Sequence, residues 1–228
     1  MKTRDKVFAA LGVIFAIVCI RLGFWQLSRL QERKAFNREL ISRAETKAVD
    51  FSKLPRDTGA AHFRRVNLNG VYDYKNEIVL TNRTRNGSPG VHIITPLKQP
   101  GTDTAILVNR GWVYAPDAMT VDLARWREPD SMSGEGYVEN FQHRTGNPKS
   151  LTHANAYRWL DLPTVSRGFP YPVAPYLVVL IGDSTPANVP PRVEVPPLDE
   201  GPHKSYAIQW FSFAAISILG PILFLRRK

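Results

Sequence analysis

An imidazole and two aromatic rings stand at the start of an apolar stretch near the carboxyl end of the chain. Residues 205–225 carry no charge, and as an α-helix they would extend for about 30 Å, the thickness of the hydrocarbon core of a bilayer. In a helix that begins near His203, Tyr206 and Trp210 project from about the same face as the histidine. That face suits a flat, apolar ligand that contains a metal. The alternative is an aromatic belt at a membrane interface, with His203 only occupying the first helical turn.

A second apolar segment, residues 7–27, lies near the amino terminus and is interrupted by Arg21. Basic residues precede it, but no small-residue cleavage site follows, so we expect a retained membrane helix rather than a cleaved signal. Cys19, inside this segment, is interpreted as a lipid-facing or packing residue. Lysines and arginines mark both ends of the chain and favour the cytoplasmic side. Two spans then leave the long central region outside the cytoplasm.

The chain is predicted to consist of membrane-spanning ends around one central domain. The predicted segments are, in chain order, a cytoplasmic amino terminus (1–6), a first transmembrane helix (7–27), a membrane-proximal helix (28–46), a β-rich periplasmic domain (47–188), a proline-rich connector (189–202), a second transmembrane helix (203–225) and a cytoplasmic carboxyl terminus (226–228).

Short runs of alternating apolar residues, separated by turn residues, predict that the central domain is mainly antiparallel β, of the α+β class. The predicted strands are 66–74, 77–82, 90–97, 104–114, 135–144, 157–160 and 175–181, with a short helix at 162–167. A region of this length suits one domain with its own core.

Composition excludes several classes of function. The net charge of +10 is spread along the chain and flanks the spans, where it can meet anionic lipid headgroups, so nucleic acid is not expected as a partner. A single cysteine rules out a disulfide framework and the paired thiolates that copper delivery would require. No catalytic motif is present, and Ser28 lacks the context of a signal-peptidase serine, so we expect no enzyme. The remaining histidines show no metal-binding spacing and are assigned no site: His62, His92, His143 and His153.

Three stretches, taken together, resemble the Surfeit locus protein 1 family of cytochrome oxidase assembly factors. They are Leu-Gly-Phe-Trp-Gln-Leu-Ser-Arg at 22–29 with Lys34, Val-Asn-Arg-Gly-Trp-Val at 108–113, and His-Lys-Ser-Tyr-Ala-Ile-Gln-Trp-Phe at 203–211. Each string alone is weak, but the three in this order, around a β-rich domain with two spans, form a specific combination that covers the whole chain.

The resemblance implies a role in building haem-copper cytochrome c oxidase at the haem a stage of subunit I. Subunit I is then an expected partner and haem a synthase a candidate partner. In this family the residue at His203 is the candidate haem ligand, and imidazole is a common ligand of haem iron. The isoprenoid tail of haem a prefers lipid, whereas its propionates prefer a basic, wet boundary. His203 is expected at the edge of the membrane, where both environments are available. Since no transit peptide is recognised, we expect a bacterial inner membrane.

Further residues are predicted for a haem groove, each with a plainer alternative. Arg21 is predicted to face a propionate or else to snorkel to the membrane surface. Trp25 lies one turn further along and Arg29 one turn beyond, and both are expected to form a groove with Tyr206 and Trp210, or else to make ordinary helix contacts. Haem binding is expected to be weak and exchangeable, because no second axial ligand is evident.

Two questions stay open in the sequence. In the middle motif, Gly111 and Trp112 are interpreted as packing residues, and Arg110 as a paired surface charge or a partner-binding charge. The alternative function is a membrane scaffold that stabilises an intermediate of subunit I without binding haem.

Overall fold

The computed structural model describes residues 3–150, 155–193, 195 and 198–226. The chain divides into two compact units, and each is described separately. The helical unit comprises Met1–Leu40 and Pro197–Lys228, and the sheet unit comprises Ile41–Pro196.

The helical unit is built from two long apolar helices, as the sequence predicts. Helix α1 spans Thr3–Ala44 without a break, because good helix formers continue beyond the apolar segment. Helix α4 spans His203–Arg226 and begins at the histidine itself. Both helices are long and apolar enough to cross a membrane.

Small side chains line the seam where α1 meets α4. A Cβ at Gly23 would lie 2.6 Å from the ring of Phe211, and a Cβ at Gly12 would lie 2.7 Å from the carbonyl oxygen of Ser217. Cys19 is buried against Ala16, Ala214 and Trp210, so of its two interpretations the packing one is correct. Small residues at this spacing let two helices approach closely, as is typical of helix pairs in lipid.

The outward faces of the two helices are apolar. Phe8, Ile17 and Phe24 on α1 and Ile216 and Leu223 on α4 are 51–66% exposed. A continuous exposed apolar surface of this kind marks a protein or membrane contact.

The sheet unit contains one eight-stranded sheet. Its elements are β1 (Val49–Asp50), α2 (Thr58–Ala61), β2 (Arg65–Tyr72), β3 (Ile78–Arg85), β4 (Ser88–Lys98), β5 (Ala105–Tyr114), β6 (Ser131–Asn140), β7 (Ala156–Tyr157), α3 (Leu162–Ser166) and β8 (Tyr176–Leu180). The strand order is β1-β2-β6-β8-β5-β4-β3-β7, and an additional β2–β4 pairing closes β2, β6, β8, β5 and β4 into a ring.

The sheet is mixed but mainly antiparallel, in agreement with the prediction. Strand pairs β1–β2, β3–β7 and β5–β8 are parallel, and the other pairings are antiparallel. The parallel β5–β8 pair arises because β8 returns to the ring after the long segment that follows β6, a connection that strand periodicity does not reveal.

The main core fills the inside of this ring. Alternate residues of its strands, including Leu68, Leu97, Val108, Val138 and Val178, are almost fully buried there. Burial of each such side chain contributes about 1.5–3 kcal/mol to folding. A second apolar cluster, around Val91, Ile93 and Val113, packs against Leu123 and Trp126.

Candidate functional site

His203 is held by a hydrogen bond from α4 to α1. Its Nδ1 lies 2.8 Å from Oε1 of Gln26, a residue only 8% exposed. Because a carbonyl oxygen only accepts hydrogen bonds, Nδ1 is the donor, and in the neutral imidazole Nε2 then keeps its lone pair. Metal-binding histidines are usually oriented in this way, by donating the other ring N–H to a carbonyl or carboxylate. The imidazole is therefore in the tautomer that can bind a metal through Nε2.

The free edge of the imidazole faces a glycine. A Cβ at Gly201 would lie 3.4 Å from Nε2 and 3.3 Å from Cδ2 of His203, and the φ of Gly201 is +73°. This left-handed conformation favours glycine. Both residues line one pocket of about 500 Å³, which is within the roughly 300–1,000 Å³ typical of cofactor sites. The other lining residues are Arg29, Glu32, Arg33, Phe36, Asp199 and Glu200.

Hydrogen bonds from α1 hold the segment that precedes His203. Nδ2 of Asn37 donates to the carbonyl oxygens of Leu198 (3.0 Å) and Asp199 (3.2 Å), and Nε of Arg33 donates to the carbonyl of Asp199 (3.1 Å). Asn37 is buried, so these backbone contacts are shielded from water. The segment that leads into α4 is thus fixed against α1.

The charges around the pocket are of both signs, whereas a basic boundary was expected. Arg29 pairs with Glu32 at 2.7 Å, and Lys34 pairs with Glu200 at 3.4 Å. All four side chains are about half exposed, so each pair contributes only about 0–1 kcal/mol. Such weak pairs can exchange a protein carboxylate for a carboxylate of a ligand at little cost.

The structure separates the residues predicted for the groove. Trp210 is half-buried in the helix seam, whereas Tyr206 is 45% and Trp25 53% exposed. Arg21 is also exposed, and none of these four lines the pocket beside His203. The side chain that reaches the histidine is Gln26. Its position, three residues after Gly23 and seven after Cys19, is the sequence signal that places it on the helix seam.

The middle motif forms the buried centre of the sheet unit. Asn109 pairs with Ile94 and Gly111 with Ile93, so Arg110 is the extra residue of a β-bulge. A bulge re-aims the side chain of its extra residue, and Arg110 is fully buried. The prediction of a surface charge is therefore wrong.

Carboxylates compensate the buried guanidinium of Arg110. Its Nη2 lies 2.5 Å from Oε1 of Glu77, its Nη1 lies 3.0 Å from Oε1 of Glu128, and its Nε donates to Oγ1 of Thr95 at 2.7 Å. Burial acts to lower the pKa of Arg110, but Glu77 and then Tyr74 and Glu128 outweigh burial and raise it. Arg110 therefore stays charged, and three segments of the sheet unit are tied to one side chain.

The same motif binds the start of the proline-rich connector. Trp112 N donates to the carbonyl of Pro191 at 2.8 Å, and a Cβ at Gly111 would lie 2.5 Å from that oxygen. Nη2 of Arg192 lies 2.7 Å from Oε2 of Glu128. Gly111 is thus a close-packing residue, as predicted, and the motif has a structural role.

Within residues 3–150, 155–193, 195 and 198–226, no group of three or more His, Cys, Asp or Glu side chains could hold a metal ion. His62 and His92 each have a hydrogen-bond partner, Glu139 and Asn109 respectively. His153 lies outside the described residues.

Comparison with known proteins gives a match across most of the chain. Residues 13–215 match the model of the SURF1 family, a range that contains all three motifs. A SURF1-like protein of Monosiga brevicollis is 26% identical over 226 residues, which cover 93% of this chain and 85% of that protein. A SURF1-like protein of Rickettsia bellii is 26% identical over 220 residues, which cover 94% and 87%. Cytochrome oxidase assembly protein SHY1 of Saccharomyces cerevisiae is 30% identical over 131 residues, which cover 50% of this chain and 32% of that protein.

Proposed function

Because the chain belongs to the SURF1 family, we propose that it is an assembly factor for haem-copper cytochrome c oxidase that binds haem a at His203 and assists its insertion into subunit I. The name of the yeast relative supports the assembly role. The observation that carries the haem proposal is the contact of His203 with Gln26, which selects the Nδ1–H tautomer of the neutral imidazole beside a pocket of about 500 Å³.

The pocket residues fit this cargo in two respects. Nε2 of His203 would bind the iron, and Gln26 would keep the imidazole in the required tautomer. Arg29 and Arg33 would bind the propionates, after Arg29 exchanges its contact with Glu32. Among the described residues that line the pocket, His203 is the only histidine, cysteine or methionine. A single protein ligand favours weak, exchangeable binding, as delivery requires.

The proposed location is the inner membrane of a bacterium, with both termini in the cytoplasm and the sheet unit in the periplasm. The apolar outer faces of α1 and α4 would contact the lipid bilayer. At that interface the exposed rings of Trp25 and Tyr206 would lie near the isoprenoid tail. Subunit I of the oxidase is the expected protein partner, and haem a synthase is the expected source of the cargo.

The test is the haem content of the purified full chain after co-expression with the enzymes of haem a synthesis. The wild type is expected to show the absorbance of bound haem a, and a His203→Ala variant is expected to lose most of it. His143→Ala, which changes an exposed histidine of the sheet unit, is the matched control and should retain the haem. Equal haem in the wild type and His203→Ala would refute the site. Absence of haem from the wild type, with oxidase assembly still dependent on the protein, would favour the scaffold function.

A further inference from the structure

A surface cavity of about 220 Å³ lies on the outer face of the ring of strands in the sheet unit. Val138 and Val178 belong to the core inside the ring, so the neighbouring Glu139 and Val179, which line the cavity, face outward. The oxidase role and the haem proposal leave this cavity without a function. Much of its wall is apolar, and the apolar lining residues are Leu80, Tyr137, Leu160, Leu177, Val179 and Val193.

A half-buried guanidinium lines the cavity and keeps donors in reserve. Nη2 of Arg83 donates to the carbonyl of Arg158 at 2.8 Å, whereas its Nε and Nη1 have no partner among the described residues. Neither of these two nitrogens is fully buried, so both can be reached from outside. Among the described residues, no carboxylate lies within ion-pairing distance of Arg83. Burial and then the positive charge of Arg144 lower the pKa of Arg83. An anion would supply the missing opposite charge.

His92 offers a further donor that is accessible. Oδ1 of Asn109 accepts from the backbone N–H of Gly111 at 3.1 Å, so its Nδ2 donates to Nδ1 of His92 at 3.0 Å. The ring proton of the neutral imidazole is then on Nε2. This atom has no partner in the part of the chain that the structure describes, and it is not fully buried. Burial, together with the charges of Arg83 and Arg85, lowers the pKa of His92 to about 3, so at neutral pH the residue is an uncharged N–H donor.

The acidic residue of the lining is engaged by other groups. Oε1 of Glu139 lies 3.1 Å from Nε2 of His62 and accepts from the backbone N–H of Asn140 at 3.1 Å. Glu139 therefore pairs with His62 rather than with Arg83. The positive charge beside the cavity is left for an anion from outside the chain.

We propose that this cavity binds a short-chain aliphatic carboxylate, whose carboxylate group contacts Arg83 and the Nε2–H of His92 and whose alkyl chain lies against the apolar wall. Donors of this kind favour an anion over a neutral ligand, because hydrogen bonds to a charged group are the stronger ones. Leu160 and Val193 would contact the alkyl chain, and each methylene group that they bury would strengthen binding. The volume of about 220 Å³ is below the roughly 300 Å³ at which drug-sized ligands begin to fit, so the ligand is small.

The test is calorimetric titration of the purified full chain in detergent with butyrate, butyramide and acetate. Butyramide has nearly the same shape as butyrate but no charge, whereas acetate keeps the charge but lacks most of the alkyl chain. We expect saturable binding of butyrate. Butyramide should bind at least about tenfold more weakly, because it offers no charged acceptor to Arg83. Acetate should bind about tenfold more weakly, because it buries less apolar surface.

Two variants and a control locate the site. Arg83→Gln should weaken the binding of butyrate by at least about tenfold and leave that of butyramide unchanged. Gln142→Glu adds a carboxylate at an exposed position of the lining and should weaken the binding of butyrate by at least about threefold through repulsion. Because this position is exposed, Gln142→Glu decides if Arg83→Gln does not fold. Arg56→Gln, at an exposed arginine of the same unit, should bind butyrate like the wild type.

Three results would overturn the proposal. The first is that butyrate does not bind saturably. The second is that butyramide or acetate binds as tightly as butyrate. The third is that a folded Arg83→Gln or Gln142→Glu variant binds butyrate like the Arg56→Gln control.

Discussion

Replacement of Gln26 by leucine tests whether the haem proposal rests on the right contact. Leucine has a similar volume but cannot accept a hydrogen bond from Nδ1 of His203, an atom that lies 2.8 Å from Oε1 of Gln26. Without that acceptor the ring loses both its fixed tautomer and its orientation. Partners of this kind usually contribute about 10–100-fold to metal affinity, which corresponds to about 1.4–2.8 kcal/mol. We expect haem a to bind Gln26→Leu more weakly by that factor.

The assay is a titration of haem a into the purified full chain in detergent, followed by the haem absorbance. Gln26→Glu keeps an acceptor for Nδ1 and should bind at least as tightly as the wild type. Gln31→Leu makes the same chemical change on an exposed position of α1 and should have no effect. An affinity of Gln26→Leu within about threefold of the wild type, when 10-fold or more is expected, would show that Gln26 does not position the ligand.

Three further variants test the folding of each unit. Arg110→Met leaves the carboxylate of Glu77 buried without its cation and should lower the free energy of unfolding by about 3–5 kcal/mol, measured by urea titration. Adding Glu77→Gln to this variant should recover part of the lost stability. The pairing would be contradicted if the double variant recovered none. Gly23→Leu should lower the free energy of unfolding by about 1–3 kcal/mol, because it overpacks the helix seam, and the effect is measured as a lower Tm. The control is Gly220→Leu, which should leave the Tm unchanged because a Cβ at that position has no neighbour within 4 Å. His92 has a pKa of about 3 in the folded chain against an ordinary 6.5. Between these values the unfolded chain binds more protons, so stability falls on acidification, by about 2 kcal/mol from neutral pH to pH 5. A His92→Gln variant should lack this loss of stability. If the variant and the wild type showed the same dependence of stability on pH, His92 would not be its cause.

The elements of the fold that depend on local pattern were predictable. Apolar runs long enough to span a bilayer indicated α1 and α4, and α4 begins at His203 as the spacing argument assumed. Alternation of apolar residues indicated the strands around the core, such as those that carry Val66 and Val108. These signals are visible because helices and strands repeat at 3.6 and 2 residues, whatever the rest of the chain does.

The arrangement of side chains around His203 and Arg110 depends on contacts between residues distant in sequence. Gln26 meets a histidine 177 positions away, because the small residues of the helix seam turn that face of α1, and not the face of Trp25, toward α4. Arg110 is buried because a bulge in β5 re-aims it toward Glu77. Position and spacing in the sequence predicted His203 as a candidate ligand, but not its contact with Gln26 or the burial of Arg110. The packing of the helices and the register of the strands decided which side chains meet, since both depend on the balance of many weak contacts across the whole molecule.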